Sequence, residues 1–184
     1  RVVELLELLD DPHIVPELAR FHIEFNCDPV VAGPTCLSEL ETSLAEAFDR
    51  ITATAATIGV APLMTGICPT IDLSHLSKDN RAPKDRYRAL DEVLHRLRGG
   101  DYALHIEGPD ELIVRHPSVM LEAVNTSFQV HYQTTPDELA GAYNTALAVA
   151  APVLAVGVNS PVLFGKRLWR ATRIAIFPQV VATG

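Results

Sequence analysis

The sequence feature that most constrains the fold is a strict alternation of polar and apolar side chains over residues 125–133. Successive side chains of a strand point to opposite faces of a sheet, so this stretch predicts a strand with one face on a core. The opposite face carries amides, a hydroxyl and an imidazole where an ordinary solvated face carries Lys or Glu. That unusual polar face predicts the wall of a binding site. Its members are Asn125, Ser127, Gln129, His131 and Gln133.

Residues 20–27 repeat this alternation, with Arg20, His22, Glu24 and Asn26 on the polar side. Two such strands in one sheet would form the floor of a site. Glu24 and His131 could hold a divalent cation there, with Asn26 and Gln129 as neighbours. The alternative stays open that each is a hydrogen-bonded, half-buried polar residue without a ligand.

The charge distribution favours a small anionic ligand over a polymer. A formal charge of −8 over 184 residues argues against nucleic acid or a membrane as the main partner. Positive charge is nevertheless clustered in one short acid-free stretch, where guanidinium groups could clamp phosphate oxygens. The alternative is a solvated helix end. The cluster consists of Lys166, Arg167, Arg170 and Arg173.

Cysteine usage and hydropathy indicate a cytoplasmic protein. Three cysteines without metal-type spacing are interpreted as reduced thiols. The longest apolar run, residues 146–158, is too short to span a bilayer and is expected to lie in a buried helix. There is no P-loop, dinucleotide-binding or serine-hydrolase motif.

The remaining periodicity predicts an α+β fold, with helices packed on one face of a largely antiparallel sheet. Apolar spacing predicts helices at residues 38–59, 86–98 and 135–157. Further strands are expected at residues 60–68 and 172–177. Residues 101–107 and 111–115 flank Gly-Pro-Asp and predict a hairpin.

Four short motifs in order resemble those of the glutamate–cysteine ligase family 2, carboxylate–amine ligases of the glutamine synthetase superfamily. The resemblance extends from about residue 18 to residue 177 and rests on residues 23–26, 125–131, 159–161 and 170–174. It implies a curved antiparallel sheet that binds ATP and Mg²⁺. It also implies a γ-glutamyl phosphate intermediate, which an amine attacks to form an amide.

The resemblance assigns roles to individual residues. Glu24 and His131 match metal-binding positions, and Arg173 matches a phosphate- or substrate-binding arginine that would take part in catalysis. Asn26, Ser127 and Gln129 would line the site. From the basic cluster, Lys166 and Arg170 are added as residues that would contact the nucleotide.

We expect residues 1–184 to form a single domain that is the central part of a larger ligase domain, because the family's N-terminal E-x-E strand is absent. The expected substrates are a small-molecule carboxylate and an amine, and a homo-oligomer is an open possibility. One alternative is a non-catalytic or truncated domain that binds a nucleotide, an anion or a partner. Another is a phosphagen-kinase-like enzyme, which transfers phosphate without making an amide.

Overall fold

Two compact groups of helices and short strands make up the chain, and the computed structural model describes residues 1–182. Unit 1 comprises Arg1–Met64 and Ser74–Val93, and unit 2 comprises Thr65–Leu73 and Leu94–Gly184. The prediction of a single domain stays a prediction.

Unit 1 is built around two helices and a small hairpin. Helix α1 spans Val2–Leu9, strand β1 spans Ile14–Pro16, strand β2 spans Ile23–Phe25, and helix α2 spans Cys36–Thr57. β1 and β2 pair antiparallel. Helix α2 buries three residues spaced four apart, which keeps them on one helical face. The unit's core therefore joins both helices to β1 through Leu5, Ile14, Ile51 and Ala55.

Helix α3, Asp85–Arg98, begins in unit 1 and is fixed there by two polar side chains. The Tyr87 hydroxyl donates to the carbonyl oxygen of Pro16 at 3.2 Å. The buried Asp91 carboxylate pairs with Arg81 at 3.1 Å and with Lys78 at 3.5 Å. Because a buried charge is costly unless paired, these cations hold the segment before α3 against the helix.

Unit 2 is organised by the hairpin of strands β3, Tyr102–Glu107, and β4, Glu111–His116. Alternate residues of both strands are buried, as expected for a hairpin with one face on a core. Helix α5, Arg173–Val181, packs on β3 and on a buried 3-10 turn at Val119–Val124. The predicted hairpin is confirmed.

A second, shorter hairpin pairs β5, Val162–Leu163, with β6, Lys166–Arg167. Its turn residues Phe164 and Gly165 both have positive φ, 48° and 73°, as a tight two-residue hairpin turn requires. The two hairpins meet where Asp110 binds Arg167. Gly108 lies so close to the backbone of Leu168 that a Cβ atom would approach it to 2.8 Å, which explains the glycine in the Gly-Pro-Asp turn.

Helix α5 is held at both ends within unit 2. At its C-terminal end, the Arg98 guanidinium donates to the carbonyl oxygens of Gln179 and Val180, each at 2.8 Å. These carbonyls belong to the last turn of the helix, where no further helical N–H can reach them. The N-terminal end begins at Arg173, whose contacts are described below.

Three predicted strands are wrong. Residues 125–133 contain no strand, and the side chains of Phe128 and Val130 are 72% and 70% exposed. An extended segment becomes a strand only when a neighbour takes up its backbone N–H and C=O groups, and no strand among residues 1–182 pairs with it. Residues 60–68 also lack regular structure, and residues 172–177 are almost entirely part of α5.

The prediction of an α+β fold is confirmed, with antiparallel pairing in every strand pair described. The strands form three two-stranded sheets in residues 1–182 instead of one curved sheet. The predicted helices at residues 38–59 and 86–98 are confirmed as α2 and α3. The strand predicted at residues 20–27 is present only at β2.

Helix α4, Leu139–Val156, was expected to be buried, but all of its residues except one are solvent-exposed in the structure. It contains no charged side chain, and by length and composition alone it could cross a membrane. A single helix that meets this criterion is weak evidence for a membrane span, so the absence of a membrane partner stays a prediction. Large exposed apolar patches are typical of surfaces that take part in contacts.

Candidate functional site

Three of the sequence motifs meet in unit 2 at the side chain of Arg173. Its guanidinium donates one hydrogen bond to the carbonyl oxygen of Thr126 and a second, at 2.9 Å, to Oδ1 of Asn159. Thr126 belongs to the motif at residues 125–131, Asn159 to that at 159–161, and Arg173 to that at 170–174. Residues that are far apart in sequence therefore orient the guanidinium group of Arg173. We call this group, with Thr65, Gly66 and Ser160, the motif junction.

Ser160 connects two of these motifs through its backbone and side chain. Its N–H donates to the Arg170 carbonyl at 3.1 Å, and its own carbonyl accepts from the Thr172 N–H at 3.2 Å. The Ser160 hydroxyl is buried and accepts from the Arg173 N–H at 3.5 Å. These bonds fix the start of α5, so the side chain of Arg173 leaves the backbone in a defined direction.

Gly66 provides the space in which Arg173 and Asn159 meet. A Cβ atom at this position would overlap the Asn159 side-chain amide and lie 3.0 Å from Nε of Arg173. The Gly66 carbonyl also accepts from the Thr126 N–H at 3.0 Å, and the Thr126 hydroxyl donates to the Thr65 carbonyl. The sequence analysis missed Thr65 and Gly66. No local sequence pattern indicates that a side chain at position 66 would clash with residues about 100 positions away.

The junction presents an oriented cation to solvent. Arg173 is half-buried, and both of its side-chain bonds go to uncharged acceptors, which orient the guanidinium without neutralising it. Arginine carries further N–H donors in a rigid plane that match the oxygen atoms of phosphate or carboxylate. The arrangement can therefore bind an anion. The predicted anion-binding role of Arg173 therefore remains chemically reasonable, although residue 173 begins helix α5 and does not lie on the predicted strand.

The other predicted residues of unit 2 lie outside the junction's side-chain contacts. Ser127, Gln129 and His131 are exposed on the segment that replaces the predicted strand, and Nε2 of Gln129 donates to the Ser127 hydroxyl at 3.3 Å. Lys166 is exposed on β6. Arg170 is also exposed and contributes its carbonyl, not its guanidinium, to the junction.

Glu24 and Asn26 lie in unit 1, where both are exposed. Glu24 is at the centre of β2 opposite Val15, and the Asn26 N–H donates to the His13 carbonyl at 2.9 Å. An exposed carboxylate suits Mg²⁺, whereas an imidazole such as that of His131 suits transition metals better. One carboxylate and one imidazole are too few donors to enclose an ion. The two-residue metal site stays a prediction.

Arg167, a member of the predicted basic cluster, holds the two hairpins together. Its guanidinium binds the Asp110 carboxylate at 3.1 and 3.2 Å, and its N–H donates to the same carboxylate at 2.8 Å. These hydrogen bonds lower the pKa of Asp110 and raise that of Arg167. Because its charge is already paired, Arg167 is a poor candidate for a ligand contact.

A second basic feature, which the sequence analysis missed, is a cleft of about 510 Å³ in unit 1. The cationic side chains that line the cleft come from three separate segments of the sequence. Arg88 is paired with Asp85 at 3.0 Å, and Arg81 is paired with Asp91. A local excess of positive charge remains after these pairings. The cationic side chains are those of Arg20, Lys78, Arg81, Lys84 and Arg88.

The family model described as Glutamate-cysteine ligase family 2 matches residues 1–183, and the chain therefore belongs to this family. Comparisons with curated proteins and with solved structures gave no match. The resemblance inferred from four short motifs is thus confirmed over nearly the whole sequence. Membership implies a function like that of a carboxylate–amine ligase.

Proposed function

We propose that this chain carries part of the catalytic core of an ATP- and Mg²⁺-dependent carboxylate–amine ligase of the glutamine synthetase superfamily. The observation that carries the proposal is the motif junction. It holds the Arg173 guanidinium between two other motifs of the family by hydrogen bonds to Thr126 and Asn159. The substrates are a small-molecule carboxylate and an amine, in the cytoplasm.

The proposed reaction proceeds in two steps. A carboxylate oxygen attacks the γ-phosphorus of ATP, the bond to the β-phosphate oxygen breaks, and an acyl phosphate and ADP form. The amine nitrogen then attacks the acyl carbon, phosphate leaves, and the amine loses a proton to give the amide. Negative charge shifts among phosphate oxygens in both steps, and a fixed cation stabilises it without reorganising. Arg173 supplies that cation.

Magnesium, when bound, would supply positive charge that neutralises the phosphates of the nucleotide. Metal contact is proposed for Glu24 of unit 1 and for His131 of unit 2, each taken by itself, and nucleotide contact is proposed for Asn26 of unit 1 and for Ser127, Gln129, Lys166 and Arg170 of unit 2. Among the residues of this chain, the charge stabilisation described above is assigned to Arg173, whose guanidinium is oriented by Thr126 and Asn159.

Calorimetric titration of ATP, with and without Mg²⁺, tests the proposal. Arg173→Ala should weaken Mg²⁺–ATP binding at least about tenfold, because it removes charge-assisted hydrogen bonds. Arg173→Lys retains the charge and should lose less. Arg115→Ala, which removes an exposed arginine of β4, is the matched control and should bind like the native chain. Equal binding by all four proteins would refute the role of Arg173.

The basic cleft of unit 1 offers a different place for the phosphates, and a Lys84→Ala variant separates the two locations. Loss of ATP binding in Lys84→Ala together with native binding in Arg173→Ala would move the nucleotide to that cleft. Product analysis then identifies the reaction: ADP, free phosphate and an amide indicate the ligase. ADP with a phosphorylated amine would indicate the phosphagen-kinase-like alternative.

A second candidate function is a non-catalytic domain that associates with another copy of itself. The observation that favours it is the exposure of helix α4, which presents Leu139, Tyr143, Leu147 and Val153 to solvent. Such a domain would bind its partner equally well with and without Mg²⁺. Light scattering after size-exclusion chromatography, with and without Mg²⁺, discriminates the two functions when read together with the ATP titration.

A further inference from the structure

The exposed face of the β3–β4 hairpin brings together three side chains that bind metals. Nε2 of His105 lies 2.9 Å from Oε1 of Glu111 and 3.5 Å from Oε1 of Glu107. The three ligand atoms lie within 4.8 Å of one another. We propose that His105, Glu107 and Glu111 bind a divalent transition-metal ion such as Zn²⁺. This site is independent of the ligase chemistry proposed above.

The spacing of the ligand atoms matches a metal's coordination sphere. Zinc binds imidazole nitrogen and carboxylate oxygen at about 2.0–2.2 Å, which places neighbouring ligand atoms about 2.8–3.6 Å apart in tetrahedral or octahedral geometry. The two distances from His105 fall in that range. One nitrogen and two oxygen donors favour Zn²⁺ over Mg²⁺, which prefers oxygen ligands alone.

The charge pattern of the hairpin also favours the binding of a cation. Glu107 and Glu111 are direct cross-strand partners, and like charges in that relation destabilise a hairpin. In the adjoining hairpin, Arg167 is bound to Asp110. His105 is thus the group that faces both carboxylates. A bound divalent ion would turn this repulsion into attraction.

The backbone that carries the ligands is held by contacts from other elements of unit 2. Nε1 of Trp169 donates to the Glu107 carbonyl at 2.7 Å, and the His105 N–H donates to Oε1 of Gln179 at 2.9 Å. Fixed supporting contacts of this kind orient metal ligands. A cleft of about 590 Å³ borders His105 and Glu107. It provides room for water or a ligand at the coordination positions that three side chains leave open.

Calorimetric titration of Zn²⁺ into the metal-free, reduced protein tests the site. Native protein should bind one ion at the hairpin. His105→Ala and Glu111→Gln should each weaken that binding by about tenfold or more. His95→Ala, which removes an exposed histidine of α3, should not change it. Mg²⁺ added in excess should not displace the ion.

Three outcomes would overturn the proposal. The first is native affinity in both His105→Ala and Glu111→Gln. The second is loss of binding in His13→Ala, since His13 contacts Asp11 and Asp28 and offers a competing site. The third is a thiolate charge-transfer band with Co²⁺, which would place the ion on Cys27, Cys36 or Cys68. Thermal unfolding without metal checks that the variants fold; Glu111→Gln should be no less stable than native, because it removes the opposed charge.

Discussion

Replacing Gly66 by alanine should destabilise unit 2 through a purely steric effect. Gly66 is not among the glycines with positive φ, so its backbone conformation is open to alanine. The added methyl group, however, would overlap the side-chain amide of Asn159. That amide must move, and its 2.9 Å hydrogen bond from Arg173 is lost with it.

The magnitude follows from these two effects. Overpacking costs about 1–3 kcal/mol, and loss of a partly exposed hydrogen bond to a charged group adds about 1 kcal/mol. We therefore expect Gly66→Ala to lower the free energy of unfolding by about 2–4 kcal/mol. Urea denaturation followed by circular dichroism measures this change. Gly141→Ala is the matched control, since no atom lies within 4 Å of its Cβ position and it sits in α4. That change should stabilise by about 0.5–1 kcal/mol.

A double-mutant cycle with Asn159→Ala isolates the cause. If the methyl group acts by displacing the Asn159 amide, removing that amide first should eliminate most of the cost of Gly66→Ala. The double variant should then be more stable than the sum of the single changes predicts, by at least about 1 kcal/mol. Additive effects would refute the steric explanation, and so would a native-like Gly66→Ala variant.

Three further predictions concern other parts of the molecule. The folded-state pKa of Asp110 is lowered by hydrogen bonds from Arg167, so its contribution to stability is complete above the unfolded pKa, about 3.9, and is lost as the pH falls through the folded value. The melting temperatures of native protein and Asp110→Asn should therefore differ at pH 7 and converge as the pH falls below the folded-state pKa of Asp110. Asp91→Ala should cost about 3 kcal/mol in urea denaturation, because it leaves the partly buried guanidinium of Arg81 unpaired; a loss below about 1 kcal/mol would contradict this. Leu147→Glu should shift any self-associated species to monomer in light scattering, and an unchanged mass distribution would exclude α4 as the contact surface.

Elements stabilised by local interactions were predictable from the sequence. The β3–β4 hairpin combines alternation in both strands with a turn of three residues, so its pairing partner is the adjacent segment. Helices α2 and α3 have apolar residues at helical spacing over several turns. In each case, the information that determines the structure lies within about twenty residues of the element.

Elements that depend on distant partners were not predictable in this way. Alternation at residues 125–133 indicates which faces a strand would have, but it carries no information on whether another strand is present to pair with it. The short apolar run at residues 174–177 is ambiguous between strand and helix, and the contacts of α5 with β3 decide it. Arg173 was identifiable as a candidate from charge and motif, whereas Gly66 was not, because its role exists only after Asn159 and Arg173 have been brought together.

The clamping of α5 at both ends affects how an anion would be recognised. Nine residues span about 13 Å, and a rod of this length that is tied at Arg98 and again at the motif junction has little freedom to tilt. The guanidinium of Arg173 therefore occupies its place before any ligand arrives. Binding would cost the anion its own translational and rotational entropy, but it would not require further ordering of the Arg173 side chain. Removing the hydrogen bonds of Arg98 to the C-terminal turn of α5 should thus weaken anion binding at the N-terminal end of the helix, although no residue that touches the anion is changed.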